Sequence, residues 1–266
     1  MTQACISLLT DFGLYDEYVG VMKGVIASIN PHATVIDISH HIAPQNIIQG
    51  AFMLNSAYAF FPESTVHLAV VDPGVGTDRR IIGLRANNHF FLAPDNGILT
   101  CILDNYSCEA VTLSRSELYL PEVSCTFHGR DIFAPVAAHL SNSRDIHLLG
   151  QTISPTHLIK LPDTKPVITK TQISGKVIMI DRFGNLITNI SKNDLSQLPE
   201  PSSIVIHVDD CQIFDIKNHY AQVPQNSLIA IIGSKGLLEI CVNCGNAKKI
   251  LNIKIGCRVQ VTQTKT

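Results

Sequence analysis

The sequence predicts an α/β fold: an N-terminal α/β domain with a largely parallel sheet, joined to a C-terminal all-β, barrel-like domain. Three observations carry this. Through the first half, short apolar runs alternate with segments of helical periodicity. Around residues 161–172, Leu161-Pro162-Asp163 and Lys165-Pro166 interrupt any regular element. Beyond them the runs are alternating and β-branched, and turn residues separate them. The expected division is therefore an α/β domain over 1–160, a linker over 161–172 and a β-barrel domain over 173–266.

Taken in order, residues 6–9 form a short apolar strand that ends in Thr10-Asp11-Phe12-Gly13. Residues 16–29 read as a helix with Tyr18, Val21, Met22, Val25 and Ile29 on one face, stopped before Pro31. A strand over 34–38 follows, then a helix over 46–60 with Ile47, Ile48, Ala51, Leu54 and Tyr58 aligned and Asn46 as its cap. The run 66–71 is apolar apart from His67, which predicts burial on both faces. Strands are expected at 81–84 and 90–92, a helix from about Asn96, and another over 131–140. In the second half, strands are expected at 175–180, 186–190, 203–208, 228–232, 237–242, 250–255 and 258–262.

Composition narrows the function. The 266 residues carry 20 Lys plus Arg against 22 Asp plus Glu, a formal charge of −2, and the isoelectric point is about 6.6. That balance argues against nucleic-acid binding. With 45% hydrophobic and only 16% charged residues, the chain can build a core and does not read as disordered. No apolar run reaches the ~20 residues of a membrane span. The start has neither a cationic region nor a long apolar region, so no secretory signal is expected and the protein is placed in the cytoplasm. Eight scattered cysteines fit a reducing compartment. Cys241 and Cys244 form a lone CxxC in a strand-like run, which reads as core cysteine rather than a zinc or redox site. The mean hydropathy of +0.20 suggests surface buried in an oligomer.

In an open α/β sheet, ligands bind beyond the carboxyl ends of the strands. Five polar motifs fall at such ends or at a helix entry: Thr10 to Gly13, Ser39-His40-His41, Asp72 to Arg80, Ala93-Pro94-Asp95-Asn96-Gly97, and Thr126 to Asp131. Each alone reads as a turn or a cap; together on one edge they form a site. Gly74-Val75-Gly76-Thr77 lacks the Gly-Lys-Ser/Thr ending of a phosphate loop. No histidine pair has metal-helix spacing, so no metal and no cofactor is expected.

Thr10-Asp11-Phe12-Gly13, Val70-Val71-Asp72-Pro73-Gly74-Val75-Gly76, Ala93-Pro94-Asp95-Asn96-Gly97, Phe127-His128-Gly129-Arg130-Asp131, Asp181-Arg182-Phe183-Gly184-Asn185 and Gly233-Ser234-Lys235-Gly236 resemble in order and across nearly the whole chain the S-adenosylmethionine hydroxide adenosyltransferases, relatives of fluorinases and chlorinases. The resemblance implies water attacking C5′ of S-adenosyl-L-methionine to release adenosine and L-methionine. It implies a homotrimer, with substrate between the first domain of one subunit and the second of its neighbour. It assigns catalysis to Asp72, Arg79 and His128, and ribose binding to Asp11. Adenine goes to Phe183 and Asn185, and its amino edge to the backbone around Cys244. The methionine ammonium goes to Asp181 and the carboxylate to Ser234, with Lys235 beside it and Tyr18 near the methionine end. Halogenating relatives carry Tyr in place of Asp72 and of His128, so this chain is expected to use water. The alternatives are a halide-dependent adenosyltransferase and a non-catalytic S-adenosylmethionine or adenosine sensor.

Overall fold

The computed structural model describes residues 3–199 and 204–263. The chain forms two compact units, Met1–Pro162 and Asp163–Thr266.

The first unit is a seven-stranded sheet with helices on both faces. Its strands are β1 (Cys5–Thr10), β2 (Thr34–Ser39), β3 (Val66–Val70), β4 (Ile81–Ala86), β5 (His89–Pro94), β6 (Glu109–Thr112) and β7 (Thr152–Ile153), in the order β2-β1-β3-β5-β4-β6-β7. The parallel part spans β2, β1, β3 and β5. The pairs β5–β4, β4–β6 and β6–β7 are antiparallel, so the sheet is mixed. On one face Ile6, Leu8, Val66 and Leu68 pack beneath α1 (Tyr18–Ile29) and the later helix α4 (Ala134–Ser143). On the other, Leu9, Ala69, Phe91 and Ala93 meet α2 (Ile47–Ala57) and α3 (Thr100–Asn105). Both β1 and β3 are buried along their whole length, which is why their sequences are apolar without alternation.

Asn46 caps α2 by accepting the Gln49 N–H at 3.0 Å. The helix expected from Asn96 starts instead at Thr100. The Asn96 side chain is spent on the loop, accepting the Ile98 N–H and donating to the Val71 carbonyl. The helix expected over 131–140 begins with a π-helical turn at Gly129–Phe133.

The second unit is an eight-stranded antiparallel sheet. It comprises β8 (Val167–Ile168), β9 (Gln172–Ile180), β10 (Leu186–Ser191), β11 (Ile204–Val208), β12 (Cys211–Phe214), β13 (Leu228–Ile232), β14 (Leu237–Val242) and β15 (Arg258–Gln263). The order β12-β11-β15-β9-β10-β14-β13 curls around a core of Val177, Leu186, Ile206, Leu238, Ile240 and Val261. A bridge from Lys217 to Ile231 ties the chain after β12 to β13 and nearly closes the barrel.

Part of the segment expected to be linker forms β8, which pairs with β9. Ser203, expected to open a strand, lies outside the described residues; the strand is seen from Ile204. The strand expected over 250–255 is a correction: α5 (Lys192–Leu195) is followed by α6 (Ala247–Leu251), capped by Asn246 and ended by Asn252 in the left-handed region.

Candidate active site

The parallel register sets Thr10 of β1 beside Val70 of β3, so the chain leaves both strands on the same edge. Asp11 and Asp72 follow there. The loop from Asp72 then turns back, and Arg79 returns to grip Asp72. Its Nε donates to Oδ1 at 2.7 Å and to Oδ2 at 2.8 Å, and Nη2 also donates to Oδ2. Nη2 lies 3.0 Å from His128 Nδ1 as well. A guanidinium has no acceptor, so Nδ1 accepts and a neutral His128 carries its proton on Nε2.

Burial holds His128 below its ordinary value, with Arg79 adding to the effect. Asp72, Asp131 and the Ser124 backbone oppose it. The Asp72 and Arg79 side chains are only 4% and 10% exposed, so this polar cluster is largely withdrawn from solvent.

The loops that carry these groups are locked together. Gly76 has φ +80°, and a Cβ there would overlap the Cys125 carbonyl oxygen. The fully buried Asp131 accepts from the Ser124 N–H and hydroxyl at 2.8 and 2.7 Å and pairs with Arg130, which fixes the segment running into His128. Asn96 braces the end of β3 through the Val71 carbonyl, at 2.8 Å. Asp95 pairs with Arg80 and accepts the Ile159 N–H, so the Asp95-Asn96-Gly97 motif is scaffold rather than ligand surface.

Asp72 and His128 line a cavity of about 180 Å³ with Phe12, Tyr18, Val70, Val75, Thr126, Phe127 and Gly129. The rings of Phe12, Tyr18 and Phe127 pack on one another at 5.0–5.9 Å, which puts Tyr18 on an aromatic wall of the cavity. A Cβ at Gly129 would press on Met22, Phe12 and Phe127, so glycine keeps this wall close. Asp11 accepts the Gln45 N–H at Oδ2, at 2.8 Å. Its other oxygen takes no hydrogen bond among the described residues.

In the second unit, Phe183, Asn185 and Cys244 line a separate open groove with Tyr220, Val242, Asn243 and Gly245. Its volume is about 470 Å³. Phe183 is 74% exposed, leaving its ring face free to stack. Asp181 shapes this turn: Oδ1 accepts the N–H groups of Phe183 and Asn185, and Oδ2 accepts from the Asn185 side chain, all at 2.9 Å. Gly184, at φ +87°, lets the turn sit against Asn246.

Cys244 is exposed with φ +55°, while Cys241 is buried, so the expectation of two core cysteines holds for one of them. Ser234 and Lys235 lie outside the groove lining, on the exposed turn between β13 and β14. Among the described residues, no group of three or more His, Cys, Asp or Glu could hold a metal ion, and no helix is long and apolar enough to cross a membrane.

Two family models match: the SAM hydroxide adenosyltransferase N-terminal domain over residues 6–150 and its C-terminal domain over 175–260. The chain belongs to the SAM hydroxide adenosyltransferase family. Among its relatives, the (R)-S-adenosyl-L-methionine hydrolase of Salinispora tropica is 36% identical, with 97% of each chain covered. A fluorinase of Actinoplanes sp. is 27% identical over the same shares. The crystal structure of a conserved protein from Thermotoga maritima superposes with a TM-score of 0.90 at 38% identity, covering 97% of this chain and all of that one.

As a SAM hydroxide adenosyltransferase, the chain holds two residues that sequence reasoning passed over. Tyr220 lines the groove and donates to Cys241 Sγ at 3.9 Å; burial pushes its hydroxyl up to about 12. Glu239 lies at the base of the Gly233 turn, and burial raises its carboxyl above the usual range. A signal for Glu239 was present: an acid inside the otherwise apolar run 237–242.

Proposed function

We propose that this chain is an S-adenosyl-L-methionine hydrolase that forms adenosine and L-methionine. The observation that carries the reading is the Asp72–Arg79–His128 cluster at an aromatic-walled cavity. It joins a carboxylate acceptor and an imidazole N–H donor at one place from which solvent is largely excluded.

The chemistry follows from charge. The sulfonium leaves C5′ as a neutral thioether, taking the C5′–S electron pair, so the leaving group needs no acid. The nucleophile needs orientation and a proton acceptor. Asp72 accepts a hydrogen bond from a water, and His128, whose ring also engages the Ser124 backbone, flanks that water. As oxygen bonds to C5′ the water becomes a strongly acidic oxonium, and its proton passes to the Asp72 carboxylate and on to solvent. His128 orients rather than deprotonates, because Arg79 occupies its Nδ1 lone pair. A carboxylate at this spot also repels halide. Asp11 takes the ribose hydroxyls through its free oxygen, and Phe183 and Asn185 take adenine.

Incubation with S-adenosylmethionine in a chelator, followed by chromatography, should give adenosine and methionine in equal amounts, unchanged by chloride. Absence of adenosine would sink the reading. A 5′-chloro product would move it to the halide class. We also propose a cytoplasmic homotrimer. The mean hydropathy of +0.20 and the exposed Leu14 and Tyr15 support a subunit face. Light scattering should give three times the chain mass, and a fully active monomer would overturn the trimer.

A further inference from the structure

We infer that His40 is a positioning residue for the ribose site: its imidazole holds the Thr10 hydroxyl, and through it the Thr10–Gly13 turn that carries Asp11. This deepens the hydrolase reading and rests on its assignment of the ribose hydroxyls to Asp11.

The ends of β1 and β2 are laced together at this point. β2 slips by one residue against β1: Leu8 pairs with Asp37, but Leu9 pairs with Ser39. Beyond the slip His40 falls beside Thr10, and its Nδ1 lies 2.8 Å from Thr10 Oγ1. Both residues are buried. Thr10 Oγ1 also accepts the Phe12 N–H at 3.2 Å, and the His40 carbonyl accepts the Gly13 N–H at 2.8 Å. One histidine thus holds the residue before Asp11 by its side chain and the second residue after it by its backbone.

Asp37 fixes the direction of these bonds. Its Oδ1 lies 3.1 Å from His40 Nε2, a charge contact off the line of a hydrogen bond, and its Oδ2 pairs with Lys23 Nζ at 2.7 Å. A carboxylate only accepts, so the imidazole proton belongs on Nε2, facing it. Nδ1 then accepts from the Thr10 hydroxyl, whose oxygen keeps a lone pair for the Phe12 N–H.

An apolar side chain would fill this buried space at a lower cost in desolvation. What the histidine adds is a fixed path for the turn. Asp11 spends Oδ2 on the Gln45 N–H, so its other oxygen goes where the turn backbone sends it. That oxygen serves a ribose only within hydrogen-bond reach of the hydroxyls. Phe12, next along the turn, packs on Tyr18 and Phe127 in the cavity wall, so a shift of the turn moves the acid and the wall together.

The test compares adenosine with 2′,3′-dideoxyadenosine by calorimetry. An Asn amide stands where Nδ1 stands, and a Gln amide reaches instead to the place of Nε2. His40→Gln and Thr10→Val should each weaken adenosine binding by about five- to twentyfold, the usual weight of one or two hydrogen bonds, and leave dideoxyadenosine binding within about twofold of wild type. His40→Asn should restore most of the adenosine affinity. In turnover, His40→Gln should raise KM for S-adenosylmethionine with much less change in kcat. In an Asp11→Ala background, His40→Gln should add less than about twofold to KM, because a residue that acts through Asp11 has nothing left to position.

Equal weakening of both nucleosides, or full additivity with Asp11→Ala, would make His40 a general prop of the fold and overturn the inference. Thr10→Val with unchanged adenosine affinity would overturn it without reliance on any His40 variant. Wild type that binds both nucleosides equally would remove the ribose role of Asp11 and the inference with it. Wild type that discriminates between them and forms no adenosine from S-adenosylmethionine would sink the hydrolase reading alone, leaving His40 its role in binding.

Discussion

Arg79 sets the state of both its neighbours. It donates to Asp72 along a fork and to His128 Nδ1 with the same nitrogen, so one side chain fixes a carboxylate orientation and an imidazole tautomer. A lysine has no fork and cannot hold both. Arg79→Lys should lower kcat by about ten- to hundredfold with a much smaller change in KM, since the lost contacts orient the nucleophile. Equal changes in kcat and KM would reassign Arg79 to binding. The charge of Arg79 also helps hold His128 below 6.5. In an NMR titration, Arg79→Ala should move the His128 pKa upward, because a neighbouring cation is removed while Asp72 and Asp131 remain. In the wild type, kcat/KM should fall only below pH 6.5, as the imidazole charges and its Nδ1 stops accepting. A downward shift in Arg79→Ala would contradict the tautomer assignment.

At the scale of elements, the proposed catalytic groups are held by loops braced against each other and by the helix entry at His128. Gly76 is the contact point of the Asp72–Arg79 loop with Cys125, and both φ and space forbid a side chain. Gly76→Ala should part Arg79 from His128, costing about 1–3 kcal/mol of stability and most of the activity. Gly20, inside α1 with open space for 4 Å around the point a Cβ would occupy, is the control: Gly20→Ala should leave activity intact and add about 0.5–1 kcal/mol. Chemical denaturation and turnover on both variants decide it.

This level also shows what a sequence can and cannot disclose. Strands β1 and β3 were legible because burial on both faces makes them largely apolar, and Asn46 was legible as a cap from its place before Ile47 and Ile48. Residues 250–255 misled because Ile253-Lys254-Ile255 alternates like a strand, while the governing signals are Asn246 and Asn252 at the two ends of a short helix. The edge motifs could be placed from strand ends alone. Their division into residues proposed to meet the ligand (Asp11, Asp72, His128) and scaffold (Asp95, Asn96) could not, because hydrogen bonds such as Asn96 to Val71 join residues far apart in sequence.

Across the whole first unit, pH acts at both ends of the parallel strands. Asp72 and His128 sit beyond their carboxyl ends. Near the opposite ends, His67 of β3 is fully buried among Tyr58, Phe61 and Phe91, accepting or donating with Ser7 Oγ at 2.6 Å and His89 at 3.1 Å. Burial first, and the neighbouring His89 second, push His67 down from 6.5 to about 3; burial also lowers His89, against the pull of Glu63. Above pH 6.5 folded and unfolded chains are both neutral at His67, and pH has no effect through it. Between 6.5 and about 3 the unfolded chain takes up a proton that the folded chain refuses. Stability through this residue therefore falls with falling pH, by up to about 1.4 kcal/mol per unit. His128 pulls the same way, so the decisive comparison is with His67→Gln, which keeps a polar side chain and does not titrate. Urea unfolding from pH 7.5 to 5 should give a shallower loss for His67→Gln than for wild type. The activity per folded molecule should keep the same acid limb in both, because that limb belongs to His128 at the other end of the strands. Parallel stability curves would mean that His67 is not the group refusing the proton. An altered acid limb in His67→Gln would mean that the two ends of the sheet are coupled.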